Sequence, residues 1–301
     1  MSTLPSSAGE PSAIGASDLA PPPVVHHAVR RFVKRLDLPG RLALLVVAMV
    51  LLCILAAPWI APADPLQIDL SLRLASPSAE HWLGNDEQGR DILSRVIHGT
   101  QSTMTATLAA LVLGGGAGLV LGLLAAYFRH LEVVLMRLVD LMLSFPAILI
   151  CLAVVAFTGP GFAGLVLALS ISTVPIVARF SRSAAASVMT QGYVQAARAA
   201  GLSDLVILWR YVLRNALPAI LVMLTLRLGS LILIATALGF LGLGVPPPHA
   251  ELGAMASQSR QFLFMSAHVP LVPSVVILVI VLSVNLLGDA MRDFVDPRLD
   301  A

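Results

Sequence analysis

The 38 positions from Leu141 to Ala178 contain no Asp, Glu, Lys or Arg. As one helix this run would be about 57 Å long, far more than a hydrocarbon core about 30 Å thick requires. Gly159-Pro160-Gly161 falls in the middle, where two glycines and a proline favour a turn over continued helix. The run therefore reads as two membrane helices joined by a tight turn, expected at about 138–158 and 162–180. The same test finds four more spans. An uncharged stretch from Leu42 to Ala63 gives a helix at 42–60, and the uncharged stretch from Val96 to Phe128 holds one at 104–127. Pro218 opens a span at 218–244 that Pro246-Pro247-Pro248 ends, and the last lies at 269–288. The expectation is an all-α polytopic membrane protein with six transmembrane helices. Residues 30–298 form its membrane domain, and residues 1–29, rich in Ser, Pro, Ala and Gly, form a disordered cytoplasmic tail.

Composition agrees. Hydrophobic residues make up 57% and charged residues 12%, with a mean hydropathy of +0.89, whereas soluble domains average about 25% charged. The net charge of +2 gives no basis for nucleic-acid binding. The charges are placed asymmetrically. With the N-terminus in the cytoplasm, 14 of the 19 basic residues fall inside, and Arg73, Arg90, Arg95 and Arg260 fall outside. The positive-inside rule selects that orientation, with both termini cytoplasmic. Cys53 and Cys151 lie within apolar runs, so neither a disulfide framework nor a zinc site is expected.

Nothing in the chain resembles an assembled catalytic centre, and no enzymatic activity, cofactor or metal is expected. The sole lysine, Lys34, sits in Val33-Lys34-Arg35 and not in a Gly-Lys-Ser/Thr loop, so the chain cannot cradle nucleotide phosphates as a P-loop does. The seven histidines are scattered; only His26 and His27 adjoin.

The segment between the fourth and fifth spans, 181–217, carries more information. Tyr193-Val-Gln-Ala-Ala-Arg-Ala-Ala-Gly201 is a short run of helix formers stopped by glycine. Its alanines permit close approach by a partner. A second helix, capped by Ser203 or Asp204, places Leu205, Leu208, Trp209, Val212 and Leu213 on one apolar face, expected to rest on lipid headgroups. Arg227 lies about 13 Å into the fifth span. It either faces the translocation path or snorkels to the cytoplasmic headgroups. Gly114, Gly118 and Gly122 form a flat strip for helix contact. Arg137 and Asp140 are spaced for an ion pair, and Asp86 and Arg90 are expected to pair at the surface of the external loop.

Gln195-Ala-Ala-Arg-Ala-Ala-Gly201, followed by Leu217-Pro218, resembles the EAA loop of ABC importer permeases, with Gln195 in place of glutamate. Further segments resemble the dipeptide/oligopeptide/nickel branch of that binding-protein-dependent family, C-type inner-membrane subunit. They are His81 to Arg95, Met136 to Asp140 with Phe145-Pro146, Ala237 to Gly244, and Asn285 to Arg298, so the likeness runs over about 30–300. It implies a type I permease fold in the cytoplasmic (inner) membrane. It also implies a coupling helix that docks into an ATPase through Tyr193, Gln195, Ala196, Ala197, Arg198 and Gly201, with Leu217 and Pro218 belonging to the same motif. Glutamine at 195 excludes an ion pair there but not a neutral hydrogen bond. The implied partners are a second permease subunit in a heterodimer, two cytoplasmic ATPase subunits, an extracytoplasmic substrate-binding protein and membrane lipid. The implied cargo is di- or oligopeptide, with nickel or another small solute as the lesser option. The alternative is an ion-gradient-driven secondary transporter, disfavoured because no acidic residue lies at mid-span and no internal repeat is visible.

Overall fold

The computed structural model describes residues 36–295; residues 1–29, expected to be a tail, lie outside them. Helix α1, Leu38–Ile60, starts where the Asp37 carboxylate accepts from the Gly40 amide at 2.9 Å, with Pro39 in the first turn. Pro58 lies inside α1 and cannot donate to the Ile54 carbonyl; the Gln101 side chain of the next helix donates to that oxygen at 2.9 Å.

Helix α2, Ile92–Tyr127, begins twelve residues before the expected span. Asp91 caps it, accepting from the Ser94 amide at 2.7 Å. Helices α3, Arg129–Leu143, and α4, Ala147–Thr158, replace the single helix expected at 138–158 and meet at an angle of 92°. The break has a local cause. Pro146 restricts Phe145 and removes an amide. The Ser144 amide closes α3 on the Asp140 carbonyl, and the Ser144 hydroxyl donates to the Leu141 carbonyl at 2.6 Å. The 12 residues of α4 reach only about 18 Å, so it spans the membrane only together with α3.

Gly159 and Gly161 form the expected turn, with φ of 82° and 143°, and lead into α5, Phe162–Met189, which runs nine residues past the expected end. After α6, Gly192–Ala199, helix α7 runs over Asp204–Phe240. The separate interfacial helix and the span opening at Pro218 are therefore one element. Its segment Ile207–Leu213 is π-helical. Helix α8, Leu252–Ser259, is short, and α9, His268–Val295, ends the described chain. Among the described residues five helices are long and apolar enough to cross a membrane, and the bent α3–α4 pair, taken as one span, makes six. Among the described residues there is no strand, only an isolated bridge between Asn85 and Asp91.

The centre of the fold is α2 against α5. A Cβ built on Gly114, Gly118 or Gly122 would fall 2.3, 2.7 or 2.5 Å from the carbonyl oxygens of Ser170, Val174 and Ala178. The expected strip thus lets two backbones touch, which is how apolar helices gain contact without a hydrophobic driving force. Ala106, Ala110, Leu165, Leu169, Leu231 and Leu238 join α2, α5 and α7 beside it, and Cys151 and Val155 bring in α4.

Candidate functional site

Helix α6 is held to the body by two residues one turn apart. Val194 is fully buried and Ala197 nearly so, in a cluster with Leu123 of α2, Ala185 of α5, and Ile207, Leu208 and Val212 of α7. Tyr193, Gln195, Ala196 and Arg198 remain exposed. The helix ends in a Schellman arrangement: the Leu202 amide donates to the Ala197 carbonyl at 3.2 Å and the Gly201 amide to the Arg198 carbonyl at 3.0 Å, with Gly201 at φ 77°. The Arg198 guanidinium lies 5.2 Å above the Tyr127 ring, and the Tyr127 hydroxyl donates to Asp204. The end of α2 and the start of α7 are thereby tied to α6.

Sequence reasoning placed α6 correctly but not all of its faces. Ala197 packs inward, so it is not on the face open to a partner. The principal anchor is Val194, a single apolar residue in a run too short for a helical period to mark it. Leu217 and Pro218 lie well along α7, half-buried and exposed respectively. The face expected on the second helix is also revised. Ile207, Leu208 and Val212 are buried, while Leu205 and Trp209 are 63% and 55% exposed. A π-helix advances fewer degrees per residue than an α-helix, so 3.6-residue spacing selects the wrong set.

Arg227 does not snorkel. It is only 8% exposed; its Nη1 donates to Ser230 Oγ at 3.0 Å and its Nη2 to the Ser172 carbonyl at 3.5 Å. Its Nε has no partner. Asp140 pairs with Arg179 of α5 instead of Arg137, because the α3–α4 bend lays α3 across α5; Arg182 likewise pairs with Glu132.

On the other side, Asp86, Arg90 and Arg95 form a buried ion cluster and not a surface pair. Asp86 Oδ2 takes Arg90 Nε at 2.7 Å and Arg95 Nε at 3.2 Å, with all three residues at most 5% exposed. His81 Nδ1 lies 3.0 Å from Asp91. Glu251, entirely buried, caps α8 by accepting from the Gly253 and Ala254 amides at 3.0 and 3.1 Å. Burial pushes its carboxyl up to about 7 against those two bonds.

Apolar helices packed on a glycine strip carry a short exposed helix anchored in the body they form, the architecture of a polytopic membrane protein with an outward handle. The chain belongs to the family of binding-protein-dependent transport system inner membrane components, whose model matches residues 118–301. It is 40% identical over 263 residues to the di/tripeptide transport system permease protein DppC of Pseudomonas aeruginosa (strain UCBPP-PA14), covering 85% of this chain and 87% of that one. It is 38% identical over 294 residues to the glutathione transport system permease protein GsiD of Escherichia coli O6:K15:H31 (strain 536 / UPEC), covering 96% of each. Among solved structures, the inward-facing MetNI methionine ABC transporter superposes with a TM-score of 0.56 at 21% identity, over 67% of this chain and 97% of that one. The chain is thus an ABC importer permease subunit and a multi-pass membrane protein.

Proposed function

We propose that this chain is one of two permease subunits through which di- or oligopeptides cross the cytoplasmic membrane, driven by a separate pair of ATPase chains and fed by an extracytoplasmic binding protein. The chain itself performs no chemistry. Both of its termini face the cytoplasm, the side that the basic residues favour. The peptide cargo follows from the relatives named for di- and tripeptides and for glutathione, itself a tripeptide.

The observation that carries the mechanism is the construction of α6. Gln195, Ala196 and Arg198 present a small, partly polar face outward, while Val194 and Ala197 bind the same helix to α2, α5 and α7. A push on the outer face is therefore delivered to three membrane helices at once. Packed helices switch between discrete arrangements more readily than they deform, so the delivered motion rocks the body between inward- and outward-facing packings. The exposed Gln195 amide is available for a neutral hydrogen bond to the ATPase, and Gly201 permits the reversal that brings the chain back into α7.

The test is dipeptide uptake into proteoliposomes holding the assembled complex, with and without ATP, paired with a cross-link from a cysteine at position 196 to the ATPase. ATP-dependent uptake together with that cross-link is the expected result. Uptake by the purified chain alone under a proton gradient would establish the secondary-transporter mechanism instead.

A further inference from the structure

Arg227 is withdrawn from water and lipid, yet α5 and α7 offer it only neutral partners, the Ser230 hydroxyl and the Ser172 carbonyl, and its Nε has none. Among the described residues no carboxylate pairs with it. Two neutral dipoles do not compensate a buried charge, and an unpaired cation at bilayer depth is costly. The planar guanidinium fork matches a carboxylate through two parallel hydrogen bonds.

What lies beside it says where such a carboxylate comes from. Met223 is one turn before Arg227 on α7, and Ile176 is one turn after Ser172 on α5. Both line a cavity of about 420 Å³, which Leu143, Phe180 and Arg179 also wall. Arg179 is in turn a wall of a second cavity of about 520 Å³. There Arg129, Arg137, Arg179 and Arg182 face two carboxylates, Glu132 and Asp140. Those carboxylates are engaged by Arg182 and Arg179, so Arg129 and Arg137 supply an excess of positive charge. Along α5 and α7 the order is a buried cation, which itself lines neither cleft, then an apolar cleft one helical turn away, then a basic mouth. Both are open clefts, with volumes inside the range of about 300–1,000 Å³ that ligand sites occupy.

We infer that Arg227 is the intramembrane acceptor for the free carboxylate of the transported peptide, and that the two cavities sharing Arg179 are the route by which this group reaches the arginine-rich mouth. The inference rests on the peptide reading above. Every unmodified peptide ends in a carboxylate whatever its side chains, so one arginine grips the feature that all of them share and leaves the sequence unread. The Ser230 and Ser172 contacts hold the guanidinium in place between passages.

The test uses the complete complex in proteoliposomes with two probes, alanyl-alanine and its C-terminal amide, and reads uptake per ATP hydrolysed. Affinity of the isolated binding protein for each probe is measured alongside, which separates the permease step from selection upstream. The native complex is expected to favour the free acid by about tenfold or more, as a charge-assisted pair would. Arg227→Gln brings the two probes within about twofold, and Arg227→Lys falls between. Arg227→Gln with the native discrimination intact overturns the inference. So does loss of the second permease on purification, which assigns the guanidinium to a subunit contact. A second measurement does not depend on that variant. With Cys53 and Cys151 replaced by serine, Met223→Cys reacts with a membrane-impermeant thiol reagent and is protected by alanyl-alanine but not by the amide. No reaction from either side of the membrane overturns the route. If the native complex takes up neither probe, the peptide reading itself has failed, and that result is distinct from a failure at Arg227.

Discussion

A carboxylate with no exposed surface and no ion-pair partner among the described residues is the residue whose energetics are most sharply defined here. Glu251 sits where a side chain on Gly239 would stand, since a Cβ there would lie 1.9 Å from its Oε2. Two α8 amides and the Thr103 side chain are its compensation. Its carboxyl is held at about 7, above its ordinary 4.5, so between those values the folded protein binds a proton that the unfolded chain has released. The stability linked to Glu251 is therefore fully present below about pH 4.5, falls as pH rises toward about 7, and is lost above, a contribution of order 3 kcal/mol. Thermal unfolding of the detergent-solubilised protein should show Tm falling over this interval, with the slope much reduced in Glu251→Gln; parallel curves would refute the assignment. At Gly201 the issue is backbone alone. Nothing lies within 4 Å of a Cβ built there, but φ is 77°. Alanine in that conformation costs about 1–2 kcal/mol, and asparagine tolerates it better. ATP-driven uptake should fall several-fold in Gly201→Ala and stay near native in Gly201→Asn at equal protein levels.

At the scale of elements, the α2–α5 contact makes a differential forecast within one glycine run. Gly114 faces the Ser170 carbonyl at 2.3 Å from a built Cβ, whereas Gly116 has open space. Gly114→Ala forces the helices apart and should lower Tm by several degrees, an effect of about 2 kcal/mol. Gly116→Ala should leave it unchanged or slightly raised, as helix propensity favours alanine. Equal effects at the two sites would mean that the strip is not the contact. This strip was legible beforehand because i, i+4 spacing is local and a close approach demands glycine. The number of spans was legible for the same reason, as long apolar runs have few alternatives. The 92° bend was not. Pro146 lies inside the uncharged run 141–178, and hydropathy registers composition without registering backbone direction. The π segment at Ile207–Leu213 was also hidden: Leu205 and Trp209 fit an α-helical stripe, and only the packing of Ile207 and Val212 against α5 and α6 shows that another period prevails. Arg137 and Asp140 misled similarly, since intrahelical spacing says nothing of Arg179 across the groove.

The molecule as a whole joins one short exposed helix to three long apolar ones, and the two faces of α6 can be perturbed separately. In the proposed coupling role, docking to the ATPase depends on Ala196 being small and outward. Ala196→Leu should weaken the ATPase contact, lowering both the ATPase retained on purification and the uptake. Transmission depends on Val194, fully buried among Leu123, Ala185 and Ile207. Val194→Ala removes two methyl groups and leaves a void, loosening the joint by about 2 kcal/mol while the outer face stays intact. The ATPase should then remain bound and hydrolyse ATP while uptake falls, so that hydrolysis per peptide moved rises several-fold. Joining the second change to the first should add little, because a motor that no longer docks has nothing to transmit. If Val194→Ala lowers ATPase retention as much as Ala196→Leu does, α6 is a single docking surface and not a joint. The motion would then have to enter the membrane helices elsewhere, with the Arg198–Tyr127–Asp204 tie as the remaining connection.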